Sequence, residues 1–174
     1  MSERPQPTLR AALDVHYRAG MARAVCVSFA GWGDERPSRV TAVELPVPAA
    51  YRPGRFFERE LPCLLAVLEA AATRFDVVVI DGFVHLQPPL RGLGVHLADS
   101  LSWAPSIIGV AKSPLAVADR FIPLLRGRST RPLLISAVNC PLELAWRRIG
   151  EMHGRHRVPT LLREADRLSR AWRG

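Results

Sequence analysis

Apolar and polar positions change period several times along the chain, and each change marks an element. Residues 8–17, TLRAALDVHY, have strand character, and Arg18-Ala19-Gly20 offers a turn. In MARAVCVSFAGW (21–32), Val25, Val27 and Phe29 fall on one face at the period of two that a half-buried strand requires. A polar turn, GDERPSR, leads into a third strand over RVTAVELPVP (39–48), so three consecutive strands with short turns predict an antiparallel meander. AYRPGRFFERE (50–60) carries Pro and Gly and begins as a loop. From residue 62 to 73 the period becomes helical, with Leu64, Leu65, Leu68 and Ala72 on one stripe. FDVVVID (75–81), with four β-branched residues running straight into Asp81, predicts a buried strand.

Beyond it the chain alternates. A helical or loop segment through His96 and Leu101 precedes the strand SIIGVAK (106–112), and FIPLLRG and RPLLISAV are further strand candidates. One helix is expected from near Pro141 and another over 160–172, where Leu161, Leu162, Ala165, Leu168 and Trp172 share a face. A meander followed by strands alternating with helices predicts an α/β fold, a mixed sheet flanked by helices. The 174 residues suit one domain, 1–174, with residues 1–7 as a flexible N-terminus.

Three acids stand where this patterning does not call for them. Asp14 interrupts the first strand, although aspartate is depleted in strands. Glu60 lies where the loop enters the first helix, and Asp81 ends the buried strand. Taken singly, Asp14 suits a solvent-facing strand position, Glu60 the positive end of a helix, and Asp81-Gly82 a strand-to-turn ending. Taken together, the first and fourth strands can lie side by side, bringing the two aspartates together with the glutamate above them. Facing carboxylates cannot all ionise without a cation. Mg²⁺ prefers hard oxygen ligands and rests on one or two carboxylates plus substrate phosphates, with Mn²⁺ as an alternative. Such ions activate water and steady a leaving oxygen in phosphodiester hydrolysis.

Charge sharpens this picture. The net charge is +8 and the pI near 10.8, with arginines concentrated in 126–131 and 147–157. That balance points to a polyanion such as nucleic acid, or else to an arginine-rich solvated surface. Of the 24 basic residues only Lys112 is lysine, a compact charge that arginine's planar fork does not reproduce. Cys26, Cys63 and Cys140 are scattered and odd in number, which argues against a disulfide framework or a zinc site and for a reducing compartment. The polar N-terminus is no signal peptide, and no apolar run is long enough for a bilayer, so a cytoplasmic protein without a membrane partner is expected.

The acids lie within longer motifs: the Asp-Val of ALDV, AYRPGRFFERELP, VVVIDG followed by PLRGLGVHLA, and IIGVAKSPL, with RPLLISAVN and RHRVPTLLREAD adding support. In these the chain resembles the endonuclease V family over residues 8–170. The resemblance implies a ribonuclease H-like fold and Mg²⁺-dependent hydrolysis of the second phosphodiester 3′ of inosine or another deaminated base, in single- or double-stranded DNA or in RNA. It implies that Asp14, Glu60 and Asp81 bind metal and promote water attack, and that Lys112 lies near the scissile phosphate. It makes Tyr51, Arg52 and Pro53 a wedge filling the gap left by a turned-out base, and Gly54, Phe56, Gly82 and Gly109 the lining of that base's pocket. Glycines suit a pocket that backbone must approach closely.

The chain departs from the family in places. The His-Pro-Arg or His-His-Arg run after Asp-Gly becomes 85–91, HLQPPLR, leaving His85 (or Gln87 in its place) and Arg91 as substrate contacts. Phe83-Val84 replaces a small glycine-rich turn and threatens to crowd the base pocket. The Gly-His that supplies a late metal ligand is Val138-Asn139, so Asn139 either coordinates metal through its carbonyl or caps a helix. Two alternatives stay open: a nucleic-acid-binding protein of weakened catalysis, and a nuclease without inosine selectivity.

Overall fold

The computed structural model describes residues 8–53 and 55–172. The expected flexible N-terminus, 1–7, lies outside them, as does Gly54. Strands β1 (Arg10–Arg18), β2 (Met21–Phe29) and β3 (Arg39–Pro46) form the antiparallel meander. Then follow helix α1 (Phe57–Ala71), β4 (Val77–Asp81), β5 (His85–Leu86), α2 (Leu93–Ser100), β6 (Ser106–Ala111), β7 (Ala118–Asp119), β8 (Phe121–Leu124), β9 (Leu133–Val138), α3 (Leu142–Glu151) and α4 (Thr160–Arg170).

Seven strands make one sheet in the order β3-β2-β1-β4-β6-β9-β8. β4 runs parallel to β1 and β6 parallel to β4, whereas β9 and β8 return antiparallel. This is the ribonuclease H-like mixed sheet, but its parallel part stops at β6. β5 and β7 add a separate two-stranded ribbon that periodicity did not reveal, each being only two residues long.

Alternation along the central strands sends side chains to two cores. Leu13, Val78, Ile80 and Ile107 pack with Cys63, Leu64, Val67 and Leu97 beneath α1 and α2. Ala12, Val79, Ile108 and Val110 pack with Ala145, Ile149, Leu161 and Ala165 beneath α3 and α4. The strands buried on both faces are the continuous apolar runs, as a parallel pairing demands.

Helix α1 begins at Phe57 rather than at residue 62, so Pro62 sits inside it. Proline lacks the N–H that would reach the carbonyl four residues back, but Phe57, Leu61, Leu64 and Leu68 continue one stripe against the core across that position. Burial of the stripe outweighs the local preference of proline for a helix start. The extra turn carries Glu60 into the helix, buried at 7% exposure.

Candidate active site

The register of the central strands brings the first two acids together. Arg10 is level with Val77 and Ala12 with Val79, where the β1–β4 ladder ends. The same offset continued two residues sets Asp14 beside Asp81, beyond the last paired position. Alternation puts both on the face of Ala12, Val79 and Val110, toward α4. Lys112, two residues past Val110, follows on that face, and its Nζ lies 2.8 Å from Asp81 Oδ2. From α4, Ser169 donates its hydroxyl to Asp14 Oδ2 at 2.5 Å.

Glu60 approaches from α1, on the other side of the sheet, and meets the aspartates at its end. A cavity of about 260 Å³ is bordered by Asp14, Phe56, Glu60, Asp81 and Gly82. Burial pushes the Asp14 carboxyl up to about 6; the Ser169 hydrogen bond opposes this, and repulsion from Asp81 adds to it. Burial likewise pushes Glu60 up to about 7, opposed by the nearby Tyr17 hydroxyl and reinforced by Asp14 and Asp81. Burial alone would lower Lys112, but the adjoining Asp81 charge, with Asp14 and Asp166, carries it above its ordinary value.

Carboxylates that share a cavity repel one another when ionised, and a cation between them would relieve that repulsion. The donor set is all carboxylate, which suits a hard divalent ion that needs only one or two such ligands. Among the described residues no three His, Cys, Asp or Glu side chains stand close enough to cage one ion as placed. The Lys112 ammonium meanwhile offsets charge on one oxygen of Asp81, and the Ser169 hydroxyl donates to one oxygen of Asp14.

Gly82 turns the chain directly after Asp81, at φ +112, a conformation that L side chains rarely adopt. On its far side opens a second, largely apolar cavity of about 330 Å³, lined by residues including Tyr51, Phe56, Phe57, Phe83, Arg91 and Leu115. Its size falls in the range of small-ligand pockets. Phe56, Asp81, Gly82 and Leu93 border both cavities, so the carboxylates and the apolar pocket share one wall. Tyr51 stands at 61% exposure at the rim, and Phe57 stacks on His96 with ring centroids 3.8 Å apart. Phe83 does not plug the pocket. Its ring is buried against Ala111, Ala118 and Leu134 and meets Phe121 edge-on, 5.6 Å between centroids.

Other candidates fall elsewhere. Asn139 is corrected: because β9 runs antiparallel to β6, its C-terminal end lies beside Ile107, at the opposite end of the sheet from Asp14 and Asp81. There the Asn139 side chain donates to the Pro105 carbonyl, 3.0 Å away. His85 Nε2 lies 3.0 Å from the Ala137 carbonyl, and the residue borders neither cavity. Gly109 lies under the 82–84 turn rather than at the pocket surface; a Cβ there would come 2.5 Å from the Gly82 carbonyl oxygen and 2.6 Å from Ser136 Oγ. Arg52 and Pro53 are exposed on the loop before α1, outside the pocket lining.

The residues that sequence reasoning missed come from long range. Ser169 belongs to the buried stripe of α4 with Leu161 and Ala165, and a hydroxyl at that spacing was the available signal. Tyr17 donates to the Arg59 carbonyl at 3.2 Å while the Arg59 guanidinium lies 3.6 Å from its ring centroid, steadying the turn that presents Glu60. Asp166 adds negative charge near both Asp14 and Lys112.

Comparison with known proteins follows the same lines. The endonuclease V family profile matches residues 2–136. An endonuclease V of Streptomyces coelicolor is 42% identical over 84 residues, which are 48% of this chain and 35% of that protein. One from Rhodospirillum centenum is 42% identical over 71 residues, 41% of this chain and 29% of its own. The matched stretches thus span about a third of these relatives. Among solved structures, the endonuclease V of Streptomyces avermitilis superposes with a TM-score of 0.76 at 25% identity, over 95% of this chain and 82% of that one. Ciona intestinalis endonuclease V, in complex with a 24mer DNA containing an inosine followed by a ribo-adenosine, shares the fold at a TM-score of 0.78 and 17% identity, over 95% and 85% of the two chains. With the profile matching from residue 2 to residue 136 and the fold shared along nearly its whole length, this chain belongs to the endonuclease V family.

Proposed function

We propose that the chain is a metal-dependent endonuclease that hydrolyses a phosphodiester on the 3′ side of inosine in DNA or RNA, in nucleic-acid repair or inosine-RNA turnover. The observation that carries this is the shared wall: three acids on one cavity, and across Gly82 an apolar pocket that can take a turned-out base. Asp14, Glu60 and Asp81 would hold Mg²⁺ or Mn²⁺. The ion's chemistry there is to activate water and neutralise charge developing on the phosphate. Lys112, at the open side of Asp81, is placed to meet a phosphate oxygen. Tyr51, with Arg52 and Pro53 beside it, presents an exposed aromatic face against the gap in the stack. Phe56, Gly82 and Arg91 border the base, and unstacking costs least in a mismatch or a single strand. The chain works as one domain on nucleic acid in the cytoplasm, in keeping with its +8 charge and free thiols. No helix among the described residues is long and apolar enough to cross a membrane.

A second reading, recognition with little cutting, is favoured by the placement of Asn139, which brings no ligand to the site. A third, cutting without inosine selectivity, would require the base pocket to be closed.

End-labelled single-stranded DNA and RNA with one internal inosine, against adenine controls, in Mg²⁺ or EDTA, separates these. A Mg²⁺-dependent product cut one nucleotide beyond inosine supports the first reading, and the DNA/RNA ratio names the substrate. Equal cutting of inosine and adenine strands removes the base selectivity. No cutting with retained gel-shift binding overturns nuclease activity in favour of recognition.

A further inference from the structure

Lys112 stands one residue beyond Ala111, the last β6 position paired with β9. No ladder partner holds its backbone there, yet its ammonium must be held in place for a phosphate. The loop between α3 and α4 supplies the missing restraint. Arg157 Nη2 donates to the Lys112 carbonyl and, at 2.8 Å, to the Pro132 carbonyl just before β9. One guanidinium thereby ties the free end of β6 to the start of its neighbour.

The loop that carries Arg157 is itself clamped. Arg126, 8% exposed, donates to the carbonyls of Met152 at 2.5 Å, His156 at 2.8 Å, Gly154 at 3.2 Å and Arg157 at 3.3 Å. Gly127 packs so closely beneath it that a Cβ would lie 2.3 Å from the Arg155 carbonyl oxygen. A guanidinium with five donors in a fixed fork can bind several carbonyls at once, which an ammonium cannot do with the same geometry. The neighbouring Val158 lines the small pocket containing Asp14, Asp81 and Lys112, so the loop reaches the site directly.

We propose that Arg157 is a positioning residue for Lys112, acting through the Lys112 backbone and held in turn by Arg126. This rests on the nuclease reading only for its kinetic consequence. Misplacement of about 1 Å at a reacting group can cost on the order of 100-fold in rate, which sets the scale of the effect.

The test uses the full chain with Arg157→Ala and Arg157→Lys, each alone and combined with Lys112→Ala. Arg157→Ala is expected to lower the maximal cleavage rate about 10- to 100-fold with KM changed less than about twofold. Arg157→Lys restores part of it. In the Lys112→Ala background Arg157→Ala should add no further loss, because contacting residues that act as a unit are not additive.

Lys112 is the sole lysine, so selectively ¹³C,¹⁵N-lysine-labelled protein shows one lysine side-chain resonance, and Arg157→Ala should move it toward the free-lysine position. This readout stands even if Lys112→Ala cleaves like the parent, an outcome that would overturn the role of Lys112 but not its placement. If Arg157→Ala does not fold, as judged by thermal unfolding, Arg157→Lys carries both measurements. Additive losses in the double variant, or an unmoved resonance, overturn the proposal.

Discussion

Ser169, near the end of α4, donates a hydrogen bond to Asp14 of β1 across 155 residues of sequence. It is the largest influence opposing the burial that raises Asp14. Hydrogen bonds to a charged group contribute roughly 1.5–3 kcal/mol, so Ser169→Ala should raise Asp14 further and keep it protonated at higher pH. The acid limb of the Mg²⁺-dependent pH–rate profile is expected to shift upward, with activity near pH 8 little changed. An unmoved limb would show that the hydroxyl does not tune Asp14.

Asp81 and Lys112 form an ion pair, but their removal should differ in kind. Asp81→Asn takes a charge from the proposed metal ligands and is expected to reduce cleavage by on the order of a thousandfold while gel-shift affinity stays within a fewfold. Lys112→Ala should slow cleavage more than it weakens binding. Retained cutting by Asp81→Asn would sink the metal assignment.

The metal-free protein should lose stability as pH rises. Asp14 and Glu60 sit at about 6 and about 7 in the fold, above the ordinary 3.8 and 4.5. Between about pH 4 and 7 the native state holds protons that the unfolded chain has released, so their stabilising contribution is full below the unfolded values and fades through this window. The effect is on the order of 3 kcal/mol for each group. Thermal midpoints in EDTA should show this slope, and an Asp14→Asn, Glu60→Gln variant should flatten it. Mg²⁺ should raise the midpoint more at pH 8 than at pH 5. A slope identical in the double variant would assign it to other groups.

Two of the aromatic residues lining the apolar pocket, Tyr51 and Phe83, should separate cleanly. Tyr51 is exposed, so Tyr51→Ala should leave the melting temperature nearly unchanged while weakening substrate binding by roughly 1–3 kcal/mol, the scale of stacking on one base. Phe83 is buried with Phe121, Ala111 and Leu134, so Phe83→Ala should cost about 3 kcal/mol of stability. Its preference for inosine over adenine should persist. Loss of selectivity without loss of stability would mean that Phe83 reads the base.

Local pattern carried much of this protein. The alternation in 21–32, the apolar run 77–80 and the stripe over 160–172 placed β2, β4 and α4 close to where they lie, because period reports which side chains face a core. Asp14, Asp81 and Lys112 drew attention for the opposite reason, as an acid inside a strand, an acid ending a buried one and the single lysine among arginines, whereas Glu60 suits a helix start and stood out only in their company. The start of α1 was misread because a proline rule is local while burial of Phe57 and Leu61 is not. The two-residue strands β5 and β7 are too short to show any period.

What only the tertiary structure decided was direction, register and long-range contact. Nothing in RPLLISAVN says that β9 runs antiparallel to β6, yet that choice alone carries Asn139 to the far end of the sheet. Nothing in DGFV says that Phe83 turns toward Phe121 and leaves the cavity open. The offset that sets Asp14 beside Asp81, the Ser169 hydroxyl on Asp14 and the Arg157 clamp on Lys112 each join residues far apart in the chain. Side-chain type and spacing fix what a segment can bury; which partner it buries against is settled by the packing of the whole sheet at once.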